Sequence, residues 1–420
     1  MAAAFALYFP MLSIGLLSDD FVLVARAHSG VLVDRNWDYL RPLPLGIWSL
    51  LIQVSSAAAT PVVLHALNIG LHGVNASLTG MFAMRLGLDR RSAFLSGLLF
   101  LVFPASVEAV VWSSGIFDVL LVTLILSAAI AITSAAKRNT QTIAVGVLTV
   151  AALATKETAA ILPALLIVAA YASPYVTLKR AAVPIAASMV LVAVYMAVRI
   201  GTGFTATPPS AEFTGYAVKE FFSRPFGGLA VPFHLDVLDA HPWIPFALAL
   251  YWPALFLVSA TRWHHHVRDG RTILTLAAWI LVSVAPVATM LFIADDLEGS
   301  RYLYIGTVAW SVMVVMLTLR FQTLLRFVAT VPLLVQFAFA ARAHQSAWIA
   351  AAVERDRVLE AYRQSGVQCA PTEIRGLPDQ VRGAYVFRNG ATEAIASVMP
   401  SAIANSRCVL VWDGTRFIAQ

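Results

Sequence analysis

Long apolar stretches separated by short polar loops recur along most of the chain. A transmembrane helix needs about 20 mainly apolar residues, with about 17 at the short end, so each stretch is interpreted as a membrane span. About eleven are predicted, at residues 2–17, 62–86, 92–110, 116–135, 141–155, 158–174, 181–198, 244–260, 272–293, 303–319 and 327–342. Residues 41–57 are apolar but begin with prolines, which favours an interfacial or re-entrant helix. The pattern therefore predicts an all-α polytopic membrane protein.

The distribution of basic residues predicts how these spans are oriented. Lysines and arginines gather in every second loop, at residues 85–91, 137–138, 179–180, 262–271 and 320–326. The positive-inside rule assigns those loops to the cytoplasm. The opposite loops, which include residues 18–60 and 199–243, then face the periplasm or the cell exterior. The chain is accordingly predicted to be an integral multi-pass protein of the inner (plasma) membrane.

Composition agrees with a protein whose main surroundings are lipid. Hydrophobic residues make up 59% of the chain, charged residues only 12%, and the mean hydropathy is +0.77. Soluble domains carry about 25% charged residues. The net charge of +6 comes from short basic clusters between apolar stretches, so no nucleic-acid partner is predicted.

A more polar segment follows the last predicted span, and we expect two domains, 1–342 in the membrane and 343–420 as a small extracytoplasmic α/β module. Residues 346–364 have the pattern of an amphipathic helix, whereas 384–388 and 408–412 have that of strands. Asp413-Gly414 is a strong turn signal. The two cysteines of the chain, Cys369 and Cys408, lie in this module. They either pair in an oxidising compartment or remain as two thiols.

Two adjacent carboxylates, Asp19 and Asp20, directly follow the first apolar stretch. Charge at the boundary of the hydrocarbon region is costly and usually functional. Neighbouring carboxylates also repel each other, which favours protonation of one of them. The pair is therefore predicted to act as a general base or to bind a metal, with a solvated helix end as the alternative.

A polar stripe interrupts the second predicted span. His65, Asn68, His72 and Asn75 are spaced by three, four and three residues, which places them on one face of a helix. A polar face is costly against lipid, so it is expected to face the bundle interior. There it would either line a ligand cavity or form hydrogen bonds between helices.

A third group of polar residues lies between residues 103 and 118. Phe103-Pro104 is followed by Glu108, Trp112 and Asp118, so that proline and two acids interrupt apolar sequence. This composition suits a broken segment that lines a cavity. A simple helical hairpin is the alternative.

Three cations at predicted helix ends on the outer side, Arg41, Lys156 and Arg301, are candidates for binding phosphate. Other residues beside them are assigned to the same cavity: Glu157, Tyr302 and Tyr304. The metal content is left open, with no certain cofactor and a divalent cation as an option. His234, Asp236, Asp239 and His241 have suitable side chains for a metal site, although a structural loop is favoured there.

Taken in order, these motifs resemble those of the C-type (GT-C) membrane glycosyltransferases that use polyprenyl-phosphate sugars. The chain looks similar to the protein O-mannosyltransferase-like and the transmembrane-and-tetratricopeptide mannosyltransferase families. The matching segments are 18–21 (SDDF), 39–43 (YLRPL), 65–68 (HALN), 72–75 (HGVN), 103–112, 156–157 (KE) and 301–304 (RYLY). The chain departs from the second family because no tetratricopeptide repeats follow its membrane part.

The resemblance implies that a sugar is transferred from a polyprenyl-phosphate donor to a hydroxyl of a glycan, lipid or protein. It implies an acidic residue in the first external loop and favours Asp19 over Asp20 as the base. Cations would bind the lipid phosphate, and His65, Asn68 and Glu108 would orient the sugar or the acceptor. The alternatives are a transporter or lipid-linked-sugar flippase without glycosyl transfer, and a non-catalytic membrane scaffold.

Overall fold

The computed structural model describes residues 1–33, 40–202, 223–260, 267–287, 293–318, 323–367, 369–399 and 407–419. Within this part the chain is mainly helical, with a small mixed sheet near its C-terminus. Tyr39, which belongs to one of the motifs above, and parts of the predicted outer loops lie outside the described residues.

The helices follow one another with few strands between them. The first ten are α1 (Ala2–Tyr8), α2 (Asp19–His28), α3 (Pro42–Val54), α4 (Thr60–Arg85), α5 (Arg90–Leu101), α6 (Val107–Val111), α7 (Ile116–Ile132), α8 (Arg138–Leu153), α9 (Leu162–Ala172) and α10 (Leu178–Gly201). The next six are α11 (Leu235–Ala240), α12 (Trp243–Ala260), α13 (Val267–Val284), α14 (Tyr304–Thr318), α15 (Thr323–Gln364) and α16 (Ala391–Ala396).

Each of the eleven predicted spans coincides with a helix or a broken helix. By length and hydropathy, five helices of the described part are suited to crossing a membrane, or six if Arg90–Val111, bent by 55°, counts as one span. The apolar helices Ala2–Ser13 and Glu157–Ala172 are shorter than a full span. The all-α polytopic fold is thus confirmed, whereas the predicted number of spans is not.

Helix α4 lies in the middle of the bundle and packs against α1, α5 and α7. Between α5 and α7 the chain is not one helix: short 3-10 turns at Pro104–Ser106 and Ser113–Gly115 flank α6. A Cβ atom at Gly115 would collide with the carbonyl oxygen of Ala109, so the fold of this segment requires a residue without a side chain there. The broken segment predicted between residues 103 and 118 is therefore present.

The C-terminal part contains the predicted α/β module. Its three-stranded sheet has the order β1-β4-β5, with β1 parallel to β4 and β4 antiparallel to β5. The strands are β1 (Ala370–Arg375), β2 (Gln380–Val381), β3 (Ala384–Tyr385), β4 (Arg407–Trp412) and β5 (Phe417–Ala419). Cys369 and Cys408 form a disulfide bond, which closes the module.

No break separates the membrane part from this module at residue 342. Helix α15 runs for 42 residues across that position, so the predicted span 327–342 and the predicted amphipathic helix 346–364 are one element. The change from apolar to charged sequence marks a change of surroundings and not the end of a helix, since helical periodicity continues through it. The C-terminal half of α15 also packs on the membrane part, where Arg355 donates to the carbonyl oxygen of Ile14 at 2.6 Å.

Candidate functional site

A polar cavity of about 230 Å³ lies where α2, the broken segment, and the chain around residues 156 and 301 meet. Eight of the predicted site residues line it: Asp19, Arg41, Trp112, Asp118, Lys156, Glu157, Arg301 and Tyr302. Positions that are up to 283 residues apart in the sequence, Asp19 and Tyr302, thus share one cavity. The cavity wall carries three cations and three carboxylates.

The backbone at residues 14–18, between α1 and α2, is irregular and leads to the two aspartates that begin α2. Buried backbone outside helices must find other hydrogen-bond partners, and here distant side chains supply them. Arg355 donates to Ile14 and Leu16 at 2.6 and 2.8 Å, Trp112 donates to Leu17 at 3.1 Å, and a ring nitrogen of His65 lies 2.9 Å from the carbonyl oxygen of Gly15. These contacts fix the entry to α2 and hence the two aspartates that begin it.

Asp20 is fully buried and bonded to backbone, away from the cavity. Its carboxylate accepts hydrogen bonds from the backbone N–H of Leu17 at 3.0 Å and of Ser114 at 2.7 Å, and from the hydroxyl of Ser114. Burial raises the pKa of Asp20 to about 7, against the lowering effect of these hydrogen bonds. Asp20 thereby joins the irregular backbone before α2 to the broken segment.

Asp19 has the opposite surroundings. It is half-buried and lines the cavity. Its Oδ1 atom accepts a hydrogen bond of 2.6 Å from the side-chain amide of Asn389, which belongs to the C-terminal module. Of the two predicted carboxylates, only Asp19 faces the space that a substrate would enter.

Arg41 and Glu157, which both line the cavity, form a bidentate ion pair. The Nε and NH2 atoms of Arg41 donate to the two carboxylate oxygens at 3.1 and 2.6 Å. Arg41 precedes α3, and the backbone N–H of Leu43 donates to the carbonyl oxygen of Ala154 at 3.1 Å, which brings the start of α3 beside the end of α8. Burial by itself raises the pKa of Glu157, but Arg41 outweighs this effect and the pKa is lowered.

Lys156 and Asp118 form a second pair that is almost completely buried. Their Nζ and Oδ1 atoms are 2.5 Å apart. Burial lowers the pKa of Lys156, while Asp118 counteracts that effect. A positive charge in such poorly hydrated surroundings interacts strongly with an anion.

Arg301 forms the third pair, with the buried Glu108. Its guanidinium donates to Glu108 at 2.6 Å and to the hydroxyl of Tyr385 at 3.0 Å, and Tyr385 in turn donates to Glu108 at 3.1 Å. The guanidinium carbon also lies 5.0 Å from the ring centroid of Trp112 and 5.1 Å from that of Tyr302. Cation–π contact and the ion pair together hold this charge at the cavity wall. Glu108 itself does not line the cavity.

The polar stripe of α4 connects helices, and of the residues predicted to line a cavity, His65, Asn68, His72 and Tyr304 are not among those that line this one. Asn68 donates to the carbonyl oxygens of Trp112 and Ser113 at 2.9 and 3.0 Å. The two ring nitrogens of His72 lie 2.8 Å from the Tyr304 hydroxyl and 3.0 Å from the Leu101 carbonyl oxygen. The stripe was expected to serve either purpose, and the carbonyls left free by the broken segment decide between them.

Two contributors to the site were missed in the sequence, namely Tyr385 and Asn389. Tyr385 lies in the segment 384–388, which was predicted only as a strand, and Asn389 directly follows that segment. Polar and aromatic residues in such a segment carry no local signal of function, because their partners Arg301 and Asp19 are 84 and 370 residues away. Ser114 was also missed as a partner of Asp20.

The candidate metal ligands of the described residues are the side chains of histidine, cysteine, aspartate and glutamate. Within the described ranges, no three His, Cys, Asp or Glu side chains are grouped so as to hold a metal ion. Asp118 and Glu157 are engaged by cations, and in the outer loop His234 and Asp236 contact Arg382. The divalent cation stays an untested prediction, and no step proposed below passes through one.

The sequence matches no known family profile. No curated protein matches it either. Solved structures do: ArnT from Cupriavidus metallidurans, in the apo state and bound to undecaprenyl phosphate, is similar with TM-scores of 0.54 and 0.52. Both comparisons have 13% identity and cover 98% of this chain and 92% of that chain.

An oligosaccharyltransferase from Archaeoglobus fulgidus is similar over a smaller part, with a TM-score of 0.45, 14% identity, and coverage of 84% of this chain and 52% of that chain. The ArnT comparison extends over nearly the whole length of both chains. The chain therefore has the GT-C fold of the membrane glycosyltransferases.

Proposed function

We propose that this protein is a membrane glycosyltransferase that moves a sugar from a polyprenyl-phosphate donor to an acceptor hydroxyl. The observation that carries the proposal is the cavity in which Asp19 faces Arg41, Lys156 and Arg301. A carboxylate that shares a cavity with several cations is the arrangement that this reaction needs, because a proton must be accepted and a phosphate must be released. The structure of ArnT bound to undecaprenyl phosphate adds support for a lipid phosphate as the leaving group.

Asp19 is the general base in this proposal. The acceptor hydroxyl oxygen attacks the anomeric carbon of the sugar, and its proton passes to the free carboxylate oxygen of Asp19. Positioned acid–base catalysis of this kind accelerates a reaction about 10²- to 10⁴-fold. Asp20 is not suited to this role, because its carboxylate is buried and bonded to Leu17 and Ser114.

The cations act on the leaving group. As the bond between the anomeric carbon and the phosphate oxygen breaks, its electron pair stays on that oxygen, and the lipid phosphate gains negative charge. Lys156 and Arg301, with Arg41 beside them, stabilise this charge where it develops. Their partners Asp118, Glu108 and Glu157 hold them in place before the donor arrives, so little reorganisation is needed.

The surroundings of the cavity follow from the same proposal. The polyprenyl tail would lie against the apolar helices, with the cavity open to the periplasmic or exterior side of the inner membrane. The acceptor would be a glycan, lipid or protein that approaches from that side. The basic loops predicted to face the cytoplasm support this orientation.

The experiment combines binding and turnover. Purified protein in detergent is incubated with undecaprenyl phosphate, and the thermal unfolding midpoint is measured. We expect protection in the wild type and in Asp19→Asn, and loss of protection in Lys156→Gln and Arg301→Gln. Arg90→Gln is the matched control, because Arg90 is exposed and does not line the cavity.

Turnover is then measured with a panel of labelled polyprenyl-phosphate sugars and isolated envelopes as acceptor. We expect at least one donor to lose its sugar, and Asp19→Asn to slow this step about 100-fold or more. Asp239→Asn, at an exposed position, should have no effect. A flippase would bind the lipid without cleaving it, so protection by lipid together with intact donors would overturn the transferase proposal.

A further inference from the structure

The C-terminal module contacts the Asp19 region through the segment 385–390. The amide of Asn389 donates to Oδ1 of Asp19 at 2.6 Å, and its backbone N–H donates to the hydroxyl of Ser18 at 3.3 Å. The backbone N–H of Ser18 in turn donates to the carbonyl oxygen of Val386 at 2.9 Å. Three hydrogen bonds therefore join the two segments at the residue before α2 and at its first residue.

The backbone at this contact is unusual on both sides. Ser18 has a φ of +50°, a conformation that residues other than glycine rarely adopt and that persists only when its surroundings enforce it. Opposite it, Gly390 has a φ of +76°, and a Cβ atom there would lie 2.7 Å from the carbonyl oxygen of Ser18. The close approach of these two backbones is what brings the Asn389 amide within reach of Asp19.

We propose that Asn389 is a positioning residue for the glycosyl transfer: it holds Oδ1 of Asp19 and leaves Oδ2 directed to the acceptor hydroxyl. The inference rests on the proposed function, and it extends the reacting site to a module that the sequence predicts as a separate domain. An amide is suited to this task, because it donates to the carboxylate without adding charge to a cavity whose wall already carries three cations, each paired with a carboxylate. The segment 385–390 is thereby part of the site.

The test uses two substitutions at Asn389 that a structural and a positioning role would rank differently. Asn389→Ala removes the donor and leaves a small gap, whereas Asn389→Asp keeps the shape and replaces the donor by a second carboxylate. If Asn389 only fills space, the aspartate variant is the milder of the two. If Asn389 orients Asp19, the aspartate variant is at least as harmful, because like charges then face each other.

Turnover, KM for the donor and the pH–rate profile are measured for both variants, and thermal unfolding midpoints show that each is folded. For Asn389→Ala we expect turnover to fall about 10- to 100-fold, which corresponds to the loss of one hydrogen bond to a charged group. The KM should change little, and the acidic limb of the profile should move to higher pH by about one unit. Gln380→Ala, an exposed amide of the same module, and Asn139→Ala on α8 serve as controls.

The outcomes separate this inference from the proposed function. A wild-type protein that transfers no sugar from any donor refutes the proposed function itself. A wild type that transfers sugar, with Asn389→Ala retaining the same turnover and the same acidic limb, refutes the positioning role alone. A milder effect of the aspartate than of the alanine would also refute it. If one variant does not fold, turnover and pH profile of the other decide.

Discussion

At the scale of single residues, the adjacent aspartates Asp19 and Asp20 have different surroundings, because successive side chains of a helix point in different directions. Asp19 lines the cavity, and Asp20 bonds to Leu17 and Ser114 in the interior. The motif was recognisable from its place after the first apolar stretch. Which aspartate lines the cavity could not be derived from the residues themselves, and only the family resemblance favoured Asp19, because the answer depends on the position of Ser114, 94 residues away in the sequence.

Asp20 should make stability depend on pH. Burial raises its pKa from the ordinary value of 3.8 to about 7, so the folded protein binds its proton more tightly than the unfolded chain does. Its contribution to stability is complete below about pH 4 and is lost as the pH rises to about 7. Asn cannot titrate, so the difference in unfolding midpoint between wild type and Asp20→Asn should be larger in favour of the wild type at pH 5 than at pH 7.5.

Thermal unfolding of the two proteins in detergent, across that pH range, checks the expectation. Asp413→Asn, at the exposed turn of the module, is the control for a carboxylate whose pKa is lowered to about 2 by backbone hydrogen bonds. A constant difference between wild type and Asp20→Asn at all pH values would contradict the assignment of the titration to Asp20.

The buried pair of Lys156 and Asp118 gives a second prediction at this scale. Removing one partner of a buried ion pair leaves the other charge uncompensated, at a cost of about 3–5 kcal/mol. Asp118→Asn should therefore lower the unfolding midpoint strongly, and the double variant Asp118→Asn with Lys156→Met should recover most of the loss. If the double variant is no more stable than the single one, the two charges are not coupled as their 2.5 Å distance indicates.

At the scale of elements, the broken segment between α5 and α7 determines where the site forms. Its two 3-10 turns interrupt the helix so that Trp112, Ser114 and Asp118 reach the cavity. The backbone carbonyls that this interruption leaves free are bonded by the polar stripe of α4, for example by Asn68. Proline and glycine in apolar sequence predicted the break, but the identity of its hydrogen-bond partners required the packing of α4 against it.

Gly115 is the residue of that segment whose replacement should be least tolerated. A side chain there meets the carbonyl oxygen of Ala109, which is backbone and cannot move aside without disturbing α6. Gly115→Ala should reduce the yield of folded protein and lower its free energy of unfolding by about 2 kcal/mol or more, which a lower unfolding midpoint would show. Gly227→Ala is the matched control, because a Cβ atom there meets nothing within 4 Å. Equal behaviour of the two variants would contradict this account of the break.

At the scale of the whole molecule, the membrane bundle and the C-terminal module contact each other beside the cavity. Helix α15 passes from one to the other without a break, and Tyr385 and Asn389 complete the surroundings of Arg301 and Asp19. Alternation of apolar and polar stretches was sufficient to predict the helices and the module, whereas the GT-C fold was predicted from the resemblance of the ordered motifs. The contact between module and bundle was not predictable, since it depends on pairs of residues that are distant in sequence and individually unremarkable.

The disulfide of the module should therefore affect the whole protein. Cys369 and Cys408 are 39 residues apart, and a cross-link of this length stabilises a fold by about 4 kcal/mol in the chain-entropy account. A reducing agent should lower the unfolding midpoint of the wild type and also its turnover, because the segment 385–390 lies within the closed loop. The variant with both cysteines changed to serine should not respond to the reductant. A wild type that is equally insensitive would show that the bond does not support the site.

The central claim is that one cavity holds both the base and the lipid phosphate. The most direct measurement is the position of the phosphate in an experimental structure of the protein with undecaprenyl phosphate. The account predicts phosphate density within hydrogen-bond reach of Lys156 and Arg301, on the side of the cavity that Asp19 faces. Density at another surface of the bundle, with this cavity filled by solvent, would contradict it.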